Sequence, residues 1–239
     1  MIQAQVLPMG DTAVLIEMDD IAAVLAVHAA LQQHLRDART TDAEAADDEA
    51  QTSDPCRWVE DVVPAARTLL LHLAAEADLA QVGRCVVDLA ASLPDPHEDG
   101  DDLAESASGS DDVLQIPVAY DGEDLDDVAR ATGMSREDVI EAHTTSLWRV
   151  AFFGFAPGFA YLSGGDRRLH VSRRSEPRTT VPSGSVGLAG EFSAVYPRSS
   201  PGGWQLIGRT ESVMWDQDRD PPSLLQPGSV VRFVRQDPT

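Results

Sequence analysis

The sequence predicts an α+β protein in two parts: a small α/β sandwich, then a compact barrel or sandwich of short strands. Three observations predict it. Short apolar runs alternate with two helical stripes over residues 1–94. From Trp148 onward the helical spacing disappears, and short apolar runs alternate with Gly, Pro and Ser to the end. Charge divides along similar lines. Residues 1–127 hold 29 acids and 5 arginines, a net of −24, whereas residues 128–239 hold 11 acids and 13 arginines, a net of +2.

Taken in order, Gln3–Leu7 and Ala13–Glu17 read as strands around a Met9-Gly10-Asp11 turn. Asp19 or Asp20 then caps a helix. Its Val24, Val27, Leu31 and Leu35 recur at spacings of three and four, which lines up one buried stripe. Trp58–Val63 and Thr68–Leu73 read as strands, interrupted at Pro64. A second helix, about Ala77–Leu93, carries Leu79, Val82, Val86 and Leu89 at the same spacings. Two acidic runs, Asp42–Asp61 and Asp95–Asp112, lack apolar periodicity and read as solvated segments. The predicted organisation is an α/β part over 1–94 with an acidic insert near 37–57, an acidic linker over 95–112, and a strand-rich part over 113–239. In that last part Leu114–Tyr120 is a strand ending at Asp121-Gly122. A helix begins near Asp124 and stops at Gly133, a residue suited to the left-handed conformation that ends helices. Another helix is capped by Ser135, with Asp138 at capping-box distance.

Composition excludes whole chemistries. All 18 basic residues are arginine. Without lysine the chain alone supports neither a Walker A loop nor a Schiff base. The helix pair Asp127–Ile140 resembles a helix-turn-helix, but its second helix carries Glu137, Asp138 and Glu141, so DNA would be repelled. No apolar run approaches the roughly 20 residues that span a bilayer. The N-terminus lacks a basic-then-apolar leader, so a cytoplasmic location is expected, with no membrane or nucleic-acid partner. Cys56 and Cys85 read as two buried thiols, with a disulfide the alternative. No cysteine or histidine pair has a metal-ligand spacing, so no metal site is expected.

The chemistry-bearing stretch is His143–Arg209. It holds Gly154-Phe155-Ala156-Pro157-Gly158-Phe159, Arg173-Arg174, Pro177-Arg178, Val181-Pro182-Ser183-Gly184-Ser185, Gly190, and Ser200-Pro201-Gly202-Gly203-Trp204-Gln205, ending at Arg209. Glycines beside arginines allow backbone N–H groups and guanidinium forks to surround a carboxylate or phosphate. Tight barrel turns need the same glycines and prolines, so composition leaves both readings open. Arg173, Arg174 and Arg178 are the anion-binding candidates. His143, near a helix end, is a candidate acid, base or phosphate contact, or else a packing histidine.

These residues resemble a known family, named variously the 5-oxoprolinase B-type subunit, allophanate hydrolase subunit 1 and the Kip-type kinase inhibitor. The resemblance rests on G-F-x-P-G-F-x-Y-L at Gly154–Leu162, R-R-x-x-P-R at Arg173–Arg178, V-P-x-G-S-V-G at Val181–Gly187 and S-P-G-G-W-x-L-I-G-R-T at Ser200–Thr210. It implies that the second part is a cyclophilin-like β-barrel. It implies one component of an ATP-dependent 5-oxoprolinase, inactive alone and using ATP with Mg. The implied partners are a homologous barrel subunit, of the 5-oxoprolinase C-type or allophanate hydrolase subunit 2 kind, and a third 5-oxoprolinase subunit. Two other roles share the motifs: a carboxyltransferase or allophanate hydrolase-type subunit, with biotin as cofactor, and an inhibitor of a sensor histidine kinase. The site residues the resemblance implies are His143 and Arg178 as catalytic groups. Substrate or nucleotide contacts would come from Gly154, Phe155, Pro157, Gly158, Arg173, Arg174, Ser183, Ser185, Gly190, Gly203, Gln205 and Arg209. Two departures stand out: Ala66, where the family pattern has tyrosine, and Glu191–Val195, where many members have G-Q-T-G-I.

Overall fold

The structure, a computed structural model, describes residues 1–44, 54–96 and 113–236. Chain contacts divide it into two compact units, Met1–Asp101 and Asp102–Thr239.

The first unit is an antiparallel sheet covered by two helices. Strands β1 (Ala4–Pro8), β2 (Ala13–Met18), β3 (Val59–Pro64) and β4 (Thr68–Leu73) pair in the order β1-β2-β4-β3. Alternation sets the buried face: Val14, Ile16 and Met18 of β2 and Leu69, Leu71 and Leu73 of β4 are all buried. Helix α1 (Ile21–Glu44) lays Val24, Val27, Leu31 and Leu35 on this sheet, and helix α2 (Leu79–Ser92) adds Val82, Val86 and Ala90. Asp20 is the residue that caps α1, accepting the Ala23 N–H at 2.9 Å. Asp78 caps α2 through the N–H groups of Ala80 and Gln81.

The acidic run Asp42–Asp61 is not one solvated segment. Helix α1 continues to Glu44, and Asp54 caps a 3-10 turn, Pro55–Trp58, by accepting the Cys56 N–H. That turn leads directly into β3. Local capping and the burial of Cys56 outweigh the run's average polarity. The remainder of that run, and residues 97–112 of the second, lie outside the described residues.

The second unit is a nearly closed barrel. Its seven-stranded sheet has the order β12-β9-β10-β7-β6-β13-β5. The strands are β5 (Leu114–Val118), β6 (Trp148–Phe153), β7 (Ala160–Ser163), β9 (Ser185–Ala189), β10 (Phe192–Val195), β12 (Gln205–Arg209) and β13 (Val230–Arg235). A bridge between Ala119 and Arg209 ties the β5 edge back to β12. Strands β8 (Arg178–Val181) and β11 (Ser200–Gly202) form a separate ribbon. Helices α3 (Leu125–Thr132) and α4 (Arg136–Thr145) pack against β12 and β13 respectively. Gly133 stops α3 at φ +70°, and Ser135 and Asp138 form the capping box of α4. Ile116, Val118, Leu162, Val186, Ile207 and Phe233 lie at the centre of the core. No helix among the described residues is long and apolar enough to cross a membrane.

Candidate functional site

His143 and Arg178, the two expected catalytic groups, occupy different surroundings. Helix α4 places His143 on its apolar face, and the ring is fully buried. Its Nδ1 lies 2.8 Å from the Tyr120 hydroxyl and its Nε2 lies 2.9 Å from the Ser193 hydroxyl. Phe233 stacks on it at 4.3 Å between centroids. Burial pushes its pKa down to about 3, so the imidazole is neutral. A neutral ring with both nitrogens engaged and no solvent contact is a hydrogen-bonded part of the barrel core. The expectation that it serves as acid, base or phosphate contact does not fit this placement.

Arg178 belongs to a charged cluster anchored on Asp124, whose side chain is 2% exposed. Arg178 Nη2 donates to Asp124 Oδ1 at 2.7 Å and Arg174 Nη1 donates to the same oxygen at 2.6 Å. The Leu206 N–H donates to Asp124 Oδ2 at 2.7 Å. Burial raises the Asp124 pKa, but Arg178, the Leu206 N–H and the charge of Arg174 outweigh it and hold the carboxyl below its ordinary range. The cluster is not fully satisfied. Arg174 Nε and Arg178 Nη1 are buried without a hydrogen-bond partner. Buried donors without partners cost free energy, so they mark a place where an acceptor belongs.

An aromatic floor adjoins this cluster. Phe159 contacts Tyr161, Tyr196 and Trp204 at centroid distances of 5.1, 5.2 and 5.6 Å. Burial raises both phenols. The charge of Arg173 opposes that rise at Tyr161, while at Tyr196 the Trp204 main chain opposes it first and Arg173 second. Arg173, an exposed residue, therefore sits beside two phenols, and Arg178 also acts on Tyr196. The Gly154–Phe159 turn forms the rim. The Ala156 N–H donates to the Gly154 carbonyl at 2.7 Å, closing a γ-turn around Phe155 at φ +67°. Such backbone is strained for a non-glycine residue, and strain of this kind collects at functional sites. The turn holds Phe155 62% exposed, and its ring meets Phe159 edge-on at 5.3 Å. Gly158 has φ +76°, and a Cβ there would lie 2.8 Å from the Trp215 Cβ. Only glycine fits.

The fold thus gathers Arg173, Arg174, Arg178 and Gly203, whose carbonyl accepts the Arg174 N–H at 2.8 Å, with Gly154, Phe155, Pro157 and Gly158 on the rim. Gln205 is adjacent, donating to the Ser172 carbonyl at 3.1 Å. Other expected contacts lie elsewhere. Ser183 donates to the Pro197 carbonyl, and Ser185 is buried within β9. Gly190 lines a depression of about 340 Å³ with His170, Val171, Ser172 and Glu191. That depression lacks the arginines. Arg209 stands at the far end of β12 from Gln205, paired with Asp121 at 2.8 Å. Asp124, Tyr161 and Tyr196 are not among the residues that the sequence singles out. The two tyrosines lie within or beside the family motifs, but no local spacing links Asp124 to arginines 50 and 54 residues away.

A barrel carrying a guanidinium cluster over an aromatic floor fits the carboxyltransferase class. The chain belongs to that family, described as "Carboxyltransferase domain, subdomain C and D", which matches residues 4–225. Among curated relatives, the protein named as the B subunit of 5-oxoprolinase in Bacillus subtilis is 44% identical over 137 residues, covering 56% of this chain and 57% of that one. Its Escherichia coli O157:H7 namesake is 49% identical over 126 residues, covering 52% and 58%. These matches span less than two thirds of either relative. The solved structure of a conserved uncharacterized protein from Pyrococcus horikoshii superposes with a TM-score of 0.52 at 34% identity, covering 98% of both chains.

Proposed function

We propose that the chain is the B-type subunit of an ATP-dependent 5-oxoprolinase, opening the lactam of 5-oxoproline to glutamate. One observation carries the reading: the buried, unpartnered donors of Arg174 and Arg178 beside the aromatic floor. They fit an anionic group, and the substrate carboxylate, a transferring phosphoryl group and ADP are all anionic. The relatives' shared name supplies the reaction class.

A lactam carbonyl is a weak electrophile. Transfer of the ATP γ-phosphoryl to its oxygen creates a phosphate leaving group. Water then adds to the activated carbon, the C–N bond breaks as the nitrogen takes a proton, and a second water hydrolyses the resulting acyl phosphate to carboxylate and free phosphate. This route demands placed cations and N–H donors rather than a protein nucleophile. The chain supplies guanidinium groups at Arg173, Arg174 and Arg178. Asp124 fixes the latter two, so little reorganisation accompanies charge development. Mg enters with the nucleotide, and any lysine in the assembled site comes from another subunit.

The partners proposed are a homologous barrel subunit and a third subunit. Phe155, Val213 and Trp215 are exposed apolar residues at 62, 59 and 41%, and Gly158 packs against Trp215. This face suits docking of the barrel partner.

The test is co-expression with both partner subunits, followed by ATP hydrolysis measured with and without 5-oxoproline. The reading expects hydrolysis that depends on 5-oxoproline and on all subunits. Hydrolysis indifferent to 5-oxoproline would refute it.

A further inference from the structure

The first unit carries a second cluster of reactive side chains, unrelated to the barrel. The thiols of Cys56 and Cys85 are free, with Sγ atoms 2.8 Å apart. His34 and Asp54 lie beside the Cys56 thiol, and His34 Nε2 is 2.9 Å from Asp54 Oδ2. Donor atoms of His34, Asp54 and Cys56 all fall within 4.8 Å of one another. Three elements contribute. His34 comes from α1, Asp54 caps the 3-10 turn, Cys56 lies within that turn, and Cys85 comes from α2. The spacings are uninformative in sequence, which is why the sequence alone predicts no metal site there.

We propose that His34, Asp54, Cys56 and Cys85 bind one zinc ion. A tetrahedral zinc with sulfur at about 2.3 Å and nitrogen or oxygen at about 2.0–2.2 Å sets its donors roughly 3.3–3.8 Å apart. The Cys56–Cys85 and His34–Asp54 pairs, at 2.8 and 2.9 Å, are closer than this, so side-chain rotations would spread the donors around the ion. Two thiolates and an imidazole are soft-to-borderline donors, which select zinc over magnesium or calcium. The backbone already holds part of the site. Asp54 Oδ1 is committed to the Cys56 N–H, which orients Oδ2 towards His34. Cys56 is fully buried, whereas His34 is 43% exposed, giving the ion a path from solvent. A bound ion would clip α1, the 3-10 turn and α2 together, limiting the freedom of the unfolded chain.

The experiment uses the full chain without a polyhistidine tag, reduced and stripped of metal under argon, then titrated with Co²⁺ as a spectroscopic probe. The expected result is uptake of one equivalent, with thiolate-to-cobalt charge-transfer absorption and intense tetrahedral d–d bands that zinc abolishes. Zinc should also raise the melting temperature. Cys85→Ser should cut the charge-transfer absorption per bound cobalt to about half, leaving the contribution of the Cys56 thiolate. His34→Ala, at an exposed position, should weaken binding about tenfold or more while leaving circular dichroism unchanged. Two outcomes would overturn the proposal: no charge-transfer absorption from the fully reduced wild-type chain, or absorption of undiminished intensity in Cys85→Ser. The first outcome, together with a Cys56–Cys85 cross-link in air-purified protein, would identify the pair as a redox couple instead. The wild-type titration decides even if the Cys85 variant fails to fold.

Discussion

Two buried polar clusters in the barrel differ in one respect. Around His143 both ring nitrogens have a partner, and an aromatic stack closes the site. Around Asp124 both carboxylate oxygens are engaged, but its arginines retain buried donors with no acceptor. A closed network rigidifies a core, whereas an incomplete one has capacity for a ligand. Burial alone therefore does not distinguish a functional group from a packing group; the state of its remaining hydrogen-bond capacity does.

The largest effect on stability should come from Asp124→Ala. It leaves two guanidinium groups without their carboxylate and breaks the tie to Leu206, costing about 3–5 kcal/mol. Urea denaturation measures it. Arg178→Ala disturbs the same cluster, so lost turnover in that variant would mix fold and function.

His143→Gln ranks next, at about 1–3 kcal/mol from lost packing and hydrogen bonds, and should leave substrate-dependent turnover largely intact. It also carries a pH signature. The unfolded chain protonates this histidine below about 6.5, whereas the folded chain resists until about 3. The unfolded state thus binds more protons in that window. Stability is full above pH 6.5 and falls with acidification, by up to about 1.4 kcal/mol per pH unit. Denaturation curves at about pH 7, 6 and 5 should show this slope in the wild type and a shallower one in His143→Gln. The Asp124 carboxyl, held below its usual range, adds its own loss only at lower pH.

Gly158→Ala should cost about 1–3 kcal/mol, because alanine resists φ +76° and meets Trp215. If the rim turn is a docking element, the variant should also weaken capture of the barrel partner in pulldown. Arg173→Ala should have the smallest effect on stability, leaving the melting midpoint unchanged, because the residue is exposed.

Much of the fold was legible because periodicity is a local signal. The stripe Val24, Val27, Leu31, Leu35 and the capping pair Ser135 and Asp138 each settled an element from a few residues. His143 was readable by the same means: it follows Val139 by four and Ile140 by three, on the buried face of α4. Its position beside a glycine-rich stretch masks that spacing. The 3-10 turn at Pro55–Trp58 was hidden because one capping aspartate is indistinguishable within an acidic run. Asp124 and the Cys56–Cys85 pair depend on contacts between distant segments, which no spacing rule encodes. Arg173, Arg174 and Arg178 were legible because a chain without lysine leaves few cations to consider, and the family motifs mark them.

The most direct measurement is 5-oxoproline-dependent ATP hydrolysis by the assembled subunits, comparing Arg173→Ala with His143→Gln near neutral pH. The account predicts that Arg173→Ala falls about 100-fold or more with an unchanged melting midpoint, in line with losing a charge-stabilising donor. It predicts that His143→Gln keeps most of its turnover despite reduced stability. Full turnover in Arg173→Ala, with turnover lost in a folded His143→Gln, would contradict it.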